Sequence, residues 1–474
     1  MSDAAHQGTQ AGIAITCRWC GAESQTPGQP CQQCDHYIVD LPPWAEQLPS
    51  QQKWLNRKRV IRFGVIAAVL TFLVWLNYPF LPDPAIILFK RPTTDLSSAS
   101  QPGQWSMIGW DNQKTRYLPN GTNQPIGEVL WSRPLGTNTL SSPTIADGVI
   151  YMGAHFKVIA LNADTGDLIW ERDATGPVHS SPAVAGDSIY LGFLDHHIMA
   201  MDRSDGQTRW QFKTEDAVSA SPTVSKGIVY IGSWDGITYA LDASSGKVLW
   251  KTQGAASTHS SVAIHDGLAY TTDSEGNLYI LNARTGQKRH RFRTPGGNTD
   301  SPVVANGLAY FNSAGKVYAV DAKAREIPGE LQFKKVWAQF WLWQIPGVPK
   351  PPGQKGGKWR FSPDSEDAGI ISPPAVADTV LYAGDTHGIF YARDGINGSE
   401  VWRFQADGAI SATPEVLGDL VYFGTRKGTF YALDRSSGEL IWKISLGAPI
   451  EAAPAFAQGR FYVRTSDGQL HAIQ

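Results

Sequence analysis

Residues 219–250 read SASPTVSKGIVYIGSWDGITYALDASSGKVLW, from Ser219 to Trp250, and the pattern returns with small changes from Leu140 to the C-terminus. Aligning its Ser-Pro step puts Pro143, Pro182, Pro222, Pro302, Pro374, Pro414 and Pro454 in one column, with Val262 where a further Pro is due. Successive positions are 39, 40, 40, 40, 72, 40 and 40 residues apart. A second column holds Trp131, Trp170, Trp210, Trp250, His290, Trp337, Trp402 and Trp442. Within the unit, Pro222–Val224, Ile228–Gly232, Ile237–Leu241 and Lys247–Trp250 read as four short strands. Each is a run of aliphatic and aromatic residues cut by a Lys-Gly, Trp-Asp-Gly or Asp-x-x-x-Gly turn.

Self-similarity at this period, with four strands per unit, is the signature of radially stacked sheets that bury both faces on their neighbours. The expectation is an all-β fold, an eight-bladed propeller of four-stranded antiparallel blades. The last unit stops after its third strand, at Gln474, while Glu128–Trp131 is a spare strand ahead of the first unit. That spare strand is therefore expected to complete the last blade and lock the ring.

Tyr230, Gly232, Tyr239, Ala240, Leu241, Asp242, Gly246 and Trp250 match, position by position, the repeat of the pyrroloquinoline quinone (PQQ) propeller superfamily. The lead-in from Trp105 to Tyr117, WSMIGWDNQKTRY, also resembles the segment before the first blade in that family. The resemblance covers about three quarters of the chain and implies the fold. It leaves the function open, because one ring serves both quinoprotein dehydrogenases and non-enzymatic scaffolds. In type the chain is closest to the non-enzymatic propeller of the outer-membrane protein assembly machinery.

With 474 residues and a formal net charge of −2, the chain offers no basic face of the sort nucleic acid requires, and no nucleic-acid partner is expected. Its four cysteines all precede residue 35. Residues 1–15, small and polar, are expected to be disordered. In 16–36, Cys17-Arg-Trp-Cys20 and Cys31-Gln-Gln-Cys34 are separated by ten residues. Two such pairs suit tetrahedral zinc and resemble a minimal zinc ribbon, with two disulfides or free thiols as the alternative. A basic segment, 37–59, then precedes an apolar run, 60–81, read as a single transmembrane helix. The basic flank predicts a single-pass protein of the cytoplasmic (inner) membrane, its N-terminus cytoplasmic and its propeller extracytoplasmic or periplasmic. Residues 82–104 read as a linker and 105–474 as the propeller.

One unit is irregular. From anchor to next Ser-Pro step is 12 residues in seven cases but 37 after Trp337. The resulting insertion, 322–371, holds Phe340, Trp341, Trp343 and Trp359, and is expected to be a partner-binding loop on the face where the channel opens. On that face stand the residues three before each Pro column, Leu140, His179, Ser219, His259, Thr299, Ile371, Ser411 and Glu451. His179, His259 and Glu451 form an expected polar channel rim.

Quinoprotein dehydrogenases of this superfamily are similar to one another in a vicinal Cys-Cys pair, a calcium site and a catalytic Asp. None of these has a recognisable counterpart in this propeller, so PQQ and calcium are not expected. The preferred reading is a non-enzymatic protein-binding or assembly scaffold without catalytic residues. The alternatives are a PQQ-dependent quinoprotein dehydrogenase and a transmembrane ligand sensor.

Overall fold

The computed structural model describes residues 16–17, 19–23, 29–36, 62–71, 83–101, 103–119, 124–136, 141–297, 300–327 and 329–474. The chain divides into two compact units, 1–75 and 76–474.

The second unit is all-β in its body. Eight antiparallel sheets follow one another, and the third runs Thr223–Ser225, Ile228–Gly232, Ile237–Asp242 and Val248–Gln253 from its inner to its outer edge. In the eighth, Ala455–Ala457, Arg460–Arg464 and Gln469–Ile473 are joined by Val129–Pro134, with Val129 opposite Ile473. The expected ring closure is present.

The Trp column meets a Tyr of each unit at a carbonyl of the next blade. Trp250 Nε1 donates to the Ala283 carbonyl at 2.9 Å, and the Tyr230 hydroxyl donates to the same oxygen at 3.1 Å. Tyr190 and Trp210 share the Ala243 carbonyl in this way, as Tyr382 and Trp402 share that of Arg435. Both lone pairs of one carbonyl are thus used, and the aromatic bodies fill the space between sheets. The turn glycine is required for the same contact. Gly286 has φ +71°, and a Cβ there would lie 2.6 Å from the Trp250 ring.

Before the first blade, the chain crosses one face of the ring. The second residue of the inner strand donates its N–H into this lead-in in seven blades: Ile145 to Trp105 O, Val184 to Ser106 O, Val224 to Ser98 Oγ, Ile264 to Asn112 O, Val304 to Gln113 O, Val376 to Thr115 O and Val416 to Arg116 O. Tyr117–Leu118 then pairs in parallel with residues 416–417. The lead-in is a floor to the central channel. It buries Lys114 and Arg116, both at positive φ (62° and 58°). Lys114 Nζ donates to Ile108 O at 3.1 Å, and Arg116 donates to Lys114 O at 2.7 Å. Beside them, burial holds the Glu415 carboxyl well above its usual range, with the Arg116 guanidinium opposing that rise.

Residues ahead of the floor are also tied to the ring. A short helix, Pro84–Phe89, is capped by Asp83, and Thr93 donates its N–H to Asp242 at 2.7 Å.

The expected membrane span requires correction. Among the described residues, no helix is long and apolar enough to cross a membrane. Of the expected span, residues 62–71 are described, and they are helical. The inner-membrane localisation and the topology inferred from that span fall with it. Residues 1–15, 37–59, 60–61 and 72–81 of the expected tail, basic segment and span lie outside the described residues.

Candidate functional site

In the first unit the two cysteine pairs fold as matching knuckles. Cys17 N donates to Ala22 O and Gly21 N to Cys17 O, both at 2.8 Å. In the second knuckle Cys31 N donates to His36 O and Asp35 N to Cys31 O, both at 2.9 Å. Gly21 (φ 78°) and Asp35 (φ 59°) make the same left-handed turn in each. The knuckles bring all four sulfurs within 4.8 Å of one another, with Cys17 to Cys34 and Cys20 to Cys31 each at 3.6 Å. Tetrahedral bonds of about 2.3 Å put thiolates about 3.8 Å apart, so the donor set fits a zinc-sized ion without rearrangement. No disulfide joins these cysteines. The backbone N–H groups of Trp19 and Cys20 hold the Cys17 thiol down to about 6. At Cys34 the His36 N–H acts in the same direction, but burial and the three neighbouring thiols carry it up to about 12. His36 stacks on Trp19 at 4.8 Å, and its Nδ1 meets Cys34 O at 3.0 Å, so it packs around the cluster.

The rim residues do not converge. His259 Nδ1 meets Ser219 Oγ at 3.5 Å, its ring lies edge-on to Trp234, and burial lowers its pKa. Glu451 pairs with Arg426 at 3.4 Å. His179 is half-buried, and burial lowers its pKa too. His259 and Glu451 each reach back to the preceding blade rather than to one another. Leu140 and Thr299 lie outside the described residues.

The insertion differs from its sequence reading in alignment, face and structure. The anchor of the fifth blade is Trp359, which stands opposite Ala319 as Trp250 stands opposite Ala240. Its Nε1 donates to Gly395 O at 2.8 Å, and the Tyr310 hydroxyl donates to the same carbonyl. Trp337, placed in the anchor column by spacing, donates instead to Pro349 O at 2.8 Å within the insertion. The extra chain therefore joins the third and fourth strands, Lys316–Asp321 and Gly357–Phe361. In an antiparallel blade such a turn lies on the face opposite the Ser-Pro connections, the face that carries the channel floor.

The insertion is also helical, over Glu330–Leu342. Glu330 holds one face down through Lys334 at 3.0 Å and Lys355 at 2.7 Å. Its return segment lies along the fourth blade. Gln354 exchanges two 2.8 Å bonds with the Arg293 backbone, and Lys355 O lies 3.1 Å from His290 Nε2. That explains why His290 replaces Trp: the carbonyl it meets comes from the insertion. The other face is bare, with Phe333 at 65%, Phe340 at 41% and Trp343 at 64% exposure. Trp341, Leu342, Val336 and Ile345 are exposed as well. Phe333 and Val336 were not singled out from sequence. The signal was their spacing with Phe340 and Trp343, at i, i+3, i+7 and i+10.

The family profile described as outer membrane protein assembly factor BamB matches residues 120–252, 194–327, 334–430 and 397–474. No curated protein sequence matches this chain. Among solved structures, BamB from Moraxella catarrhalis is 16% identical over 73% of this chain and 97% of its own, with a TM-score of 0.56. Quinohemoprotein alcohol dehydrogenase from Comamonas testosteroni is 16% identical over 79% and 81%, with a TM-score of 0.60. The computationally designed Ika8 protein is 16% identical over 76% and 99%, with a TM-score of 0.57. At such identities the likeness is one of fold.

Proposed function

This chain belongs to the family described as outer membrane protein assembly factor BamB, and on that premise we propose that it is a non-enzymatic scaffold that binds protein partners. The observation carrying this reading is the bare aromatic face of the insertion helix. Trp and Phe concentrate binding energy where they are desolvated by a partner, and a ring of near-equal blades gains no stability from leaving them in water. Phe340, Trp341 and Trp343 are the proposed docking residues, and Trp359 is kept for the fold. Replacing Trp341 and Trp343 with Ala in the full chain is expected to abolish partner co-purification while the thermal midpoint moves by no more than about 1 °C, as for other exposed positions. A fall of several degrees with partners retained would make the insertion structural.

The fold likeness to a quinohemoprotein alcohol dehydrogenase supplies the second reading, quinone-dependent oxidation. The two part on one assay. Purified protein given PQQ, calcium and alcohols or sugars is expected to reduce no artificial electron acceptor, and steady dye reduction would overturn the scaffold reading.

We also propose that Cys17, Cys20, Cys31 and Cys34 bind one structural zinc ion. Elemental analysis of the full chain is expected to find one zinc, and Cys31→Ser to lower that content at least tenfold. Metal-free protein whose four thiols alkylate at once under native conditions would sink this assignment.

A further inference from the structure

We propose that the insertion helix is itself the ligand of its partner: its stripe of Phe333, Val336, Phe340 and Trp343 enters an apolar groove with an acidic rim on another protein. This rests on the reading of the insertion as the docking element and names the chemistry of what it docks to.

The shape argument comes from helix geometry. Positions i, i+3, i+7 and i+10 fall in one narrow stripe, the spacing by which a helix fills a groove. Gln332 and Gln339 flank it on one side, and Trp337 and Trp341 continue the apolar surface on the other. Phe340 and Trp343 lie 6.1 Å apart with tilted rings, and Phe333 meets Trp337 edge-on at 5.8 Å. The rings are therefore held in fixed relation before any partner arrives, which lowers the ordering cost of docking. The helix is also fixed at its base, since Glu330, Lys334 and Lys355 lock it to its return segment.

The charge argument fixes the rim. Between residues 330 and 360 there are six Lys or Arg and one Asp or Glu, Glu330. Glu330 already pairs with Lys334 and Lys355, and Lys358 reaches Asp321 at 3.4 Å. Lys335, Lys350 and Arg360 have no ion pair among the described residues. Lys350 lies 5.9 Å over the Trp341 ring, placing a cation beside the aromatic tip. A complementary surface carries carboxylates around its apolar floor, and such pairing makes association dependent on salt.

The test places a photo-crosslinking residue at Phe333, Phe340 or Gln344 of the full chain in its native cells. One polypeptide is expected to crosslink from Phe333 and Phe340, at a site that maps to apolar residues bracketed by Asp or Glu. Binding of that purified polypeptide is expected to weaken at least tenfold between 50 and 200 mM salt, and similarly in a Lys335→Glu, Lys350→Glu variant. The scaffold reading and this one fail differently. If partners persist when Trp341 and Trp343 are replaced, docking through the insertion is wrong. If partners are lost by that change but neither stripe position crosslinks, or binding ignores salt, the groove is wrong and docking stands. Sedimentation of the full chain with phosphatidylglycerol vesicles, lost on Phe333→Ala, would assign the stripe to a lipid surface and overturn the proposal.

Discussion

A chain ended after Gly468, without the strand Gln469–Ile473, is expected to lose the cooperative unfolding transition of the propeller altogether. Leu470 and Ile473 are fully buried in that strand, and burying two such side chains stabilises by roughly 3–6 kcal/mol. The strand also pairs with Arg460–Arg464 on one side and Val129–Pro134 on the other, so its loss leaves two edges unpaired inside the ring. The combined deficit is comparable with the ~5–15 kcal/mol that separates a folded domain from its unfolded chain. Differential scanning calorimetry and limited proteolysis would read this directly. A sharp transition within a few degrees of the intact protein would show that the ring does not depend on its closing strand.

Trp359→Ala carries the second large expected effect, a loss of about 3–5 kcal/mol in urea unfolding. Its ring packs under Gly398, where a Cβ would come within 2.8 Å of it, and its Nε1 holds the Gly395 carbonyl of the next blade. Trp341→Ala, about a quarter of a turn from Phe333 on the same helix and open to water, is expected to change stability by less than about 0.5 kcal/mol. The pair separates fold from docking within one insertion. Equal effects from the two substitutions would mean that the anchor has been assigned to the wrong tryptophan.

The contrast between Trp359 and Trp337 also shows where reading the chain alone succeeds. Seven anchors sit 12 residues before a Ser-Pro step, and that regularity carries the blade count and the closing strand. In the fifth blade the true anchor lies 15 residues before Pro374, and a second Trp in the inserted helix offered a plausible but wrong partner for the column. Spacing cannot choose between two tryptophans when the turn that fixes it has been replaced. The helix itself was legible in the spacing of Phe333, Val336, Phe340 and Trp343, but the prolines that follow it drew the whole segment into a loop reading. The cysteine cluster was legible because a two-residue gap fixes knuckle geometry locally. The channel floor was not, since it is built from backbone bonds that put little constraint on side-chain type. The apolar run at 60–81 had the hydropathy of a span, but among the described residues no helix is long and apolar enough to cross a membrane.

The closing strand has a consequence in time. Val129 and its partner Ile473 are separated by 344 residues of chain. At roughly 5–20 residues per second, a ribosome needs about 17–70 s to make the second after the first. Throughout that interval seven blades can stack, yet the first-made strand has nothing to pair with and both ends of the growing arc are open. The protein is therefore most exposed to misassembly with a neighbouring nascent copy before the strand Gln469–Ile473 is made, and only release of that strand ends the exposure.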